Sequence, residues 1–511
     1  MCAANALLMA SACLFWAAPG RPEAEDQPQW GERFSRNMVS AETGLPAAFD
    51  PATGENIAWT APLGTKTYAV PIVARGRVFI GTNNGQPRDP RHAGDRSILL
   101  CLGEADGSFR WQLVIPKVEG DQYQDWPAVG ICSPVTVEGD RAYLMTSRGE
   151  VLCLDIDGLA DGNDGPFVDE GRLMAPDGAD PIAPCPADAD VIWRFDMLAD
   201  AGCHRHDSAH ASILVRGRHL YLNTCNGVDN THKVIRFPDA PALVVLDKDT
   251  GRMVARETEG IGHRIVHGTW SSPSFGEVNG EPRVFFGGPD GVCYAFEPIP
   301  ENALAGDAPI PLKCVWRFDC DPDAPKETNP HTYMGNRDTG PSMISGMPVF
   351  HDGKIYVASG GDIWWGRRVA RLQCIDASGR GDITRSGHLW TAPLNRHCCT
   401  TPAIHEGLAY IADSGDTLHC LDAHTGQSLW THDTGGETYA SVTVADGKIY
   451  TGTRRGDFWI LATGREKRVL GHVKLDGAYS GMAIANRTLF IASMKTLYAV
   501  RSGGRQPVEN R

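Results

Sequence analysis

The residues able to do chemistry in this chain collect in short approaches to recurring apolar runs. His204, His206 and Asp207 stand together, as do His263 with His267, Arg337 with Asp338, and Arg396 with His397. Three residues ahead of the Pro (or its equivalent) that opens each run, the same position holds Tyr68, Ile131, Ala209, Trp270, Ser345, Cys399, Tyr439 and Tyr479. Seven of the 17 histidines fall in or near these approaches: His204, His206, His210, His263, His267, His331 and His397. Imidazole suits Zn, Cu or Fe, so His204, His206, His267 and His397 are candidate metal ligands. His204 and His206 lie two apart and would share one face of a strand. Rings with polar tips around a concave mouth make a binding site. The same rings would also serve simply to fill a channel.

What must position these residues is a repeat, seen most completely from Thr400 to Gly436. Four short apolar runs are separated by His405-Glu406-Gly407, Ser414-Gly415-Asp416 and Asp422-Ala423-His424-Thr425-Gly426. Gly and Asp at such turns join strands as hairpins. Four antiparallel strands make one propeller blade. The third run recurs as Leu99–Leu102, Val151–Asp155, Leu243–Asp247, Leu372–Asp376 and Leu497–Val500, and more loosely as Val292–Phe296 and Phe458–Leu461. The fourth carries Trp59, Trp111, Trp193, Trp316, Trp390 or Trp430, with Val254 and Leu470 in that place twice.

That gives eight fourth strands but only seven with three strands before them. The unit at Ser480–Val500 stops after its third strand, and Trp59 precedes any first strand. Joining the two predicts an all-β, eight-bladed propeller spanning residues 56–502. The N-terminal strand at about 57–61 completes the last blade and removes its open edge. Cys101, Cys153, Cys374 and Cys420 share one position with Ala499, which reads as a packing site for a small side chain. The segment Asp362–Arg368, with Trp364-Trp365 beside Arg367-Arg368, suits either a partner anchor or rings tucked against a neighbouring blade.

The third-strand motif followed by a Thr-Gly turn and a Trp resembles the pyrroloquinoline-quinone (PQQ) type propeller repeat. That repeat is shared by quinoprotein dehydrogenases and by scaffold propellers such as the outer-membrane assembly lipoprotein BamB. The resemblance implies two functions. One is a BamB-like binding or scaffold protein that holds a protein partner or small ligand at the channel mouth. The other is a PQQ-dependent oxidoreductase acting on an alcohol or sugar. In the second, the cofactor would lie between Trp270 and a Cys398-Cys399 ring, near Tyr68, Tyr439, Tyr479 and Arg337, with Ca²⁺ or another metal beside it and Asp207 or Asp338 as base. In quinoprotein dehydrogenases the paired cysteines belong to an early blade, whereas Cys398-Cys399 precede the sixth.

The 511 residues carry a formal net charge of −14, which disfavours a nucleic-acid backbone as partner. Residues 4–18 form one apolar run followed by Pro19-Gly20. It is too short to span a bilayer and reads, over 1–24, as a signal peptide directing the chain to the periplasm or outside the cell. Residues 25–55 read as a polar lead-in and 503–511 as a disordered tail. Asp155, Asp157, Asp161 and Asp164 offer oxygens for a hard cation, or form a solvated acidic loop.

Overall fold

A computed structural model describes residues 25–118, 120, 124–207, 209–325, 330–333 and 338–505. The signal-peptide reading of 1–24 lies outside these residues, as does Arg337. Eight antiparallel sheets follow one another around a ring. Blades one to seven each run inner to outer in chain order, from Ile72–Ala74 in blade one to Val469–Lys474 in blade seven. Blade eight combines Tyr479–Ala485, Thr488–Ser493 and Thr496–Arg505 with Glu55–Pro62 as its outer strand. Trp59 pairs with Ala499 and Ile57 with Val500 across that junction. The closure expected from the unmatched Trp59 is thus present. The third strand runs on to Arg505, past the expected start of a tail at 503, because Glu55 pairs with Arg505 and Asn56 Oδ1 accepts from Gly503 N. No helix among the described residues is long and apolar enough to cross a membrane.

The recurring Trp explains how blades join. Each of the six donates its indole N–H to a backbone carbonyl in the next blade: Trp59 to Glu104, Trp111 to Ile156, Trp193 to Lys248, Trp316 to Ala377, Trp390 to Ala423 and Trp430 to Gly464, all at 2.9–3.0 Å. The acceptors lie in the turn after the neighbour's third strand. In four of the six, a glycine of that turn (Gly107, Gly158, Gly251 or Gly426) meets the indole face. A Cβ added at Gly251 or Gly426 would sit 2.4–2.5 Å from Trp193 or Trp390, and both glycines have φ near +70°, a conformation Gly adopts without strain. Directly across the strand pair from the Trp stands a small residue: Cys101, Cys153, Ala295, Cys374, Cys420 or Ala499. The shared cysteine position therefore exists because the indole lies beside it. Burial pushes the thiols of Cys101, Cys153, Cys374 and Cys420 up to about 12, and all four are free.

Connections between the third and fourth strands of one blade also cover the outer edge of the blade before it. Residues 187–189 bond Gln112 in blade one. Ile310–Pro311 pairs with blade three, and Gly381–Asp382 with blade four. Covered edges cannot template association with other chains. In the acidic loop, Arg141 pairs with Asp155 and Arg77 with Asp157, so protein cations already neutralise part of it.

The lead-in is more than a polar approach. Residues 25–42 cross one end of the channel and bond every blade in turn. Gln27 O accepts from Val73 N, Pro28 O from Val137 N, Phe34 O from Phe275 N, Ser35 O from Phe350 N and Met38 O from Val444 N. Asn37 exchanges two bonds with Ile404, and Glu42 accepts from the backbone of Asn486 and Arg487. Blade three is reached by Arg36, which is fully buried. Its guanidinium donates to Trp30 O, Pro273 O, Ser212 O and Ser212 Oγ. Burial draws it down to about 9, still charged at neutral pH. Apart from Trp30, these partners lie in or beside the inner strands. A cavity of about 370 Å³ lies at this capped end, between the lead-in and Thr443, Met482 and Ile484.

Truncating one joint should grade the Trp contribution. Trp316→Phe keeps the ring but leaves the Ala377 carbonyl without its donor, for a loss of about 1–3 kcal/mol. Trp316→Ala should lose about 3–5 kcal/mol. Denaturant unfolding of the three proteins checks the order; equal loss in both variants would show that the indole N–H carries the joint and the ring does not.

Candidate functional site

The candidate site sits at the other end of the channel, where chain segments approach the inner strands. Three imidazoles converge there: His206, His232 and His267, all nearly inaccessible to solvent. Ring centroids lie 4.7–5.2 Å apart. His206 Nε2 is 3.0 Å from His232 Nε2. The Asp207 carboxylate spans the group, with Oδ1 3.5 Å from His206 Nε2 and Oδ2 3.3 Å from His267 Nε2. It also accepts the indole N–H of Trp126. On the far side of its ring, His267 Nδ1 is 2.8 Å from Asp362 Oδ2.

Each ligand-bearing segment is placed by local chemistry. Gly227 bridges to Gly268, Gly227 N donates to His204 O, and Val228 N donates to His267 O. A Cβ on Gly227 would be 2.6 Å from His206 Cβ, so only glycine lets blade three pass between His206 and His267. His232 is presented by a tight turn in which Asp229 Oδ1 accepts from Thr231 Oγ1, Lys233 N and Val234 N. Both Asp207 (φ 59°) and His232 (φ 58°) occupy the left-handed region, at a cost of about 1–3 kcal/mol each that the surrounding contacts must offset. Asp362 Oδ1 accepts from Trp364 N and Trp365 N, which fixes the loop they begin. The loop then folds over the cluster, Trp364 against His267 and Trp365 against His232, at 5.0–5.6 Å. Trp364 and Trp365 remain 46% and 37% exposed. The rings are thus tucked over the cluster on one side and exposed to solvent on the other. Arg367 pairs with Asp321.

The charges follow from this packing. Burial pulls His206 down to about 3, outweighing Asp207, and it lowers His232 as well. Burial would also lower His267, but Asp362 and Asp207 reverse that and hold it at about 9. The cluster is one imidazolium between two carboxylates, flanked by two neutral rings.

Of the four histidines expected to group, His206 and His267 do. His204 takes another course: its ring stacks on Phe237 and its Nε2 is 2.8 Å from Arg236 Nη1. His397 Nδ1 instead meets Gly361 O at 3.1 Å and so supports the Asp362 loop from behind. His232 completes the group. It lies between the second and third strands of blade three, where no repeat position marks it; its only sequence signal is the Asp229-Asn230-Thr231 turn before it. Tyr68 and Tyr439 do sit at this end, the latter under the Arg454 guanidinium at 4.5 Å. Tyr479 does not line the mouth. It is 4% exposed and packs against Phe458, because Gly452 leaves room for its ring. Asp338 is exposed, and Arg337 and the His331 side chain lie outside the described residues.

The expected quinone slot is not formed by these residues as they stand. Trp270 is faced by His210, nearly parallel at 6.1 Å, and is met edge-on by His267 and Trp364 at 4.9 and 6.1 Å. Cys398 and Cys399 are free thiols. Cys398 Sγ turns to Thr400 and Ala412 in the core of blades five and six, and Cys399 Sγ to Tyr439 O. Asp207 and Asp362, which flank the His267 ring packed on Trp270, are engaged by that histidine.

With this geometry in hand, comparison with known proteins is informative. The family profile described as outer membrane protein assembly factor BamB matches residues 34–160 and 370–506, just over half of the chain. The chain belongs to this family of PQQ-type propellers. No curated protein matches it in sequence. Among solved structures, BamB from Moraxella catarrhalis is similar, with a TM-score of 0.51 and 14% identity over 88% of this chain and 98% of its own. Quinohemoprotein alcohol dehydrogenase from Comamonas testosteroni aligns at 0.45 and 13% identity over 95% of this chain and 82% of its own. The computationally designed Ika8 protein aligns at 0.46 and 9% identity over 91% and 99%. At these identities the likeness concerns the fold.

Thiol counting checks the arrangement of Cys398 and Cys399, whose thiols burial pushes up to about 12 and 11. The native chain should react slowly with a disulfide reagent at neutral pH. Unfolded without reductant, residues 25–511 should then yield all 13 thiols. A count two lower, with the missing pair mapped to 398 and 399, would restore the ring.

Proposed function

We propose that this chain is an exported binding or scaffold propeller that holds a protein partner at the mouth carrying the histidine cluster. The observation that carries this reading is the unlike treatment of the two channel ends. One is closed by residues 25–42. The other presents large apolar side chains to solvent: Tyr68 at 41%, Val234 at 54%, Phe237 at 38%, Trp364 at 46% and Trp365 at 37%. Half-exposed aromatics held in fixed positions lose little freedom on contact and serve as interface anchors. Membership in a family described as an outer membrane protein assembly factor supports the same reading, as does an N-terminal apolar run of signal-peptide character. The periplasm or the cell surface is the expected location.

The alternative is a PQQ-dependent oxidoreductase, and the resemblance of the repeat favours it. Against it stand the rings packed on Trp270, the divergence of the two thiols and the engagement of Asp207 and Asp362 by His267.

Two experiments test the choice. A photo-crosslinking residue at 364 or 365 should capture one reproducible protein partner in the producing cell. The same residue at Leu389, equally exposed on the outer strand of blade five, should not. Titration of the purified protein with PQQ and Ca²⁺ should give no saturable change in tryptophan fluorescence. Saturable binding that Trp270→Ala abolishes would overturn the scaffold reading in favour of the oxidoreductase.

A further inference from the structure

Beyond partner binding, and independent of it, the cluster has the geometry of a metal centre. We infer that His206, His232, His267 and Asp207 bind one divalent first-row transition ion, of which Zn²⁺ is the type. The argument is one of spacing. A tetrahedral Zn²⁺ with ligands at about 2.0–2.1 Å holds neighbouring donor atoms about 3.3 Å apart. The separations are 3.0 Å from His206 Nε2 to His232 Nε2, 3.5 Å from His206 Nε2 to Asp207 Oδ1, and 3.3 Å from His267 Nε2 to Asp207 Oδ2. Each of the three imidazoles offers a donor within 4.8 Å of the others, and the Asp207 carboxylate reaches two of them through its two oxygens, one of which would complete the set.

A second observation points the same way. His267 Nδ1 is committed to Asp362, which leaves its Nε2 facing the group. That atom is buried and makes no hydrogen bond of good geometry, although an Asp207 oxygen lies 3.3 Å away; a bound ion would take the place of the proton His267 carries there without metal. A carboxylate behind the outer nitrogen of a ligating histidine fixes its tautomer and direction, and Asp362 stands there. Trp126 does the corresponding work for Asp207.

The donor set narrows the ion. Three imidazole nitrogens and one carboxylate oxygen suit Zn²⁺ or its neighbours, rather than a soft ion seeking thiolate or a hard one seeking oxygens alone. The nearby Cys225 thiol is turned away, onto His210 O and Asn223 Oδ1. The ion would tie the approach to blade three, the His232 turn and the approach to blade four into one unit. Through Asp362 it would steady the Trp364–Trp365 rim.

Co²⁺ serves as the spectroscopic probe. The metal-stripped mature chain should take up one Co²⁺, with the visible absorption of a four-coordinate nitrogen–oxygen site and no thiolate charge-transfer band. One equivalent of Zn²⁺ should displace it. His232→Ala and His267→Ala should abolish the band, and His204→Ala should retain it. Asp362→Asn should weaken Zn²⁺ binding by about 10- to 100-fold, measured against a competing chelator. Should the alanine variants fail to fold, the wild-type titration and Asp362→Asn still decide. A wild-type chain with no stoichiometric site, a thiolate band, or unchanged Zn²⁺ affinity in Asp362→Asn would overturn the assignment.

Discussion

The ring depends on one contact made six times: a tryptophan on the outer strand of a blade reaching into the turn of the next. The indole ring buries apolar area between sheets, and its N–H satisfies a carbonyl that would otherwise be stranded there. In four of the six joints the turn needs glycine, because anything larger would strike the ring. The residue across the strand needs to be small, because the indole occupies the space beside it. One physical requirement thus fixes three positions in those four joints and two in the others. Where Val254 and Leu470 replace Trp, other bonds and packing hold the joint; between blades three and four, Ile299 N donates to Tyr221 Oη.

A ring of such joints leaves a channel, and its two ends are treated differently. At one end a single segment touches all eight blades and places Arg36, fully buried and matched only by neutral acceptors, at their meeting point. Burying a cation without a carboxylate is costly, so the four bonds it donates are what make the position tenable. At the other end the chain tolerates left-handed backbone at Asp207 and His232 and packs three imidazoles between two carboxylates. Left-handed backbone and buried charge occur at both ends, at Phe34 and Arg36 as at Asp207 and His232; what sets this mouth apart is the titratable cluster beside exposed aromatics.

The architecture was legible in the sequence because its determinants repeat. The unmatched Trp59 and the incomplete last unit gave blade number and closure. The site was legible only where it coincided with that repeat: His206, Asp207, His267 and Trp270 all lie just ahead of inner strands. His232 was not legible, since it sits in a connection with no repeat position. His204 looked equivalent to His206, yet its ring goes to Phe237 and Arg236 instead of the cluster. Tyr479 matched Tyr68 in position, but Gly452 turned it into core. The capping role of residues 25–42 had no periodic signal at all, because bonds such as Arg36 to Ser212 or Gln27 to Ile484 join distant parts of the chain.

The central claim is that the open mouth is a binding site organised by histidines rather than a quinone site organised by Trp270 and paired cysteines. Native mass spectrometry of the chain purified from its producing cell without chelators tests this most directly. The account predicts a species heavier than the bare chain by one divalent transition ion, alone or with a bound protein, and carrying no quinone. A species carrying PQQ and Ca²⁺ in place of the transition ion would contradict it.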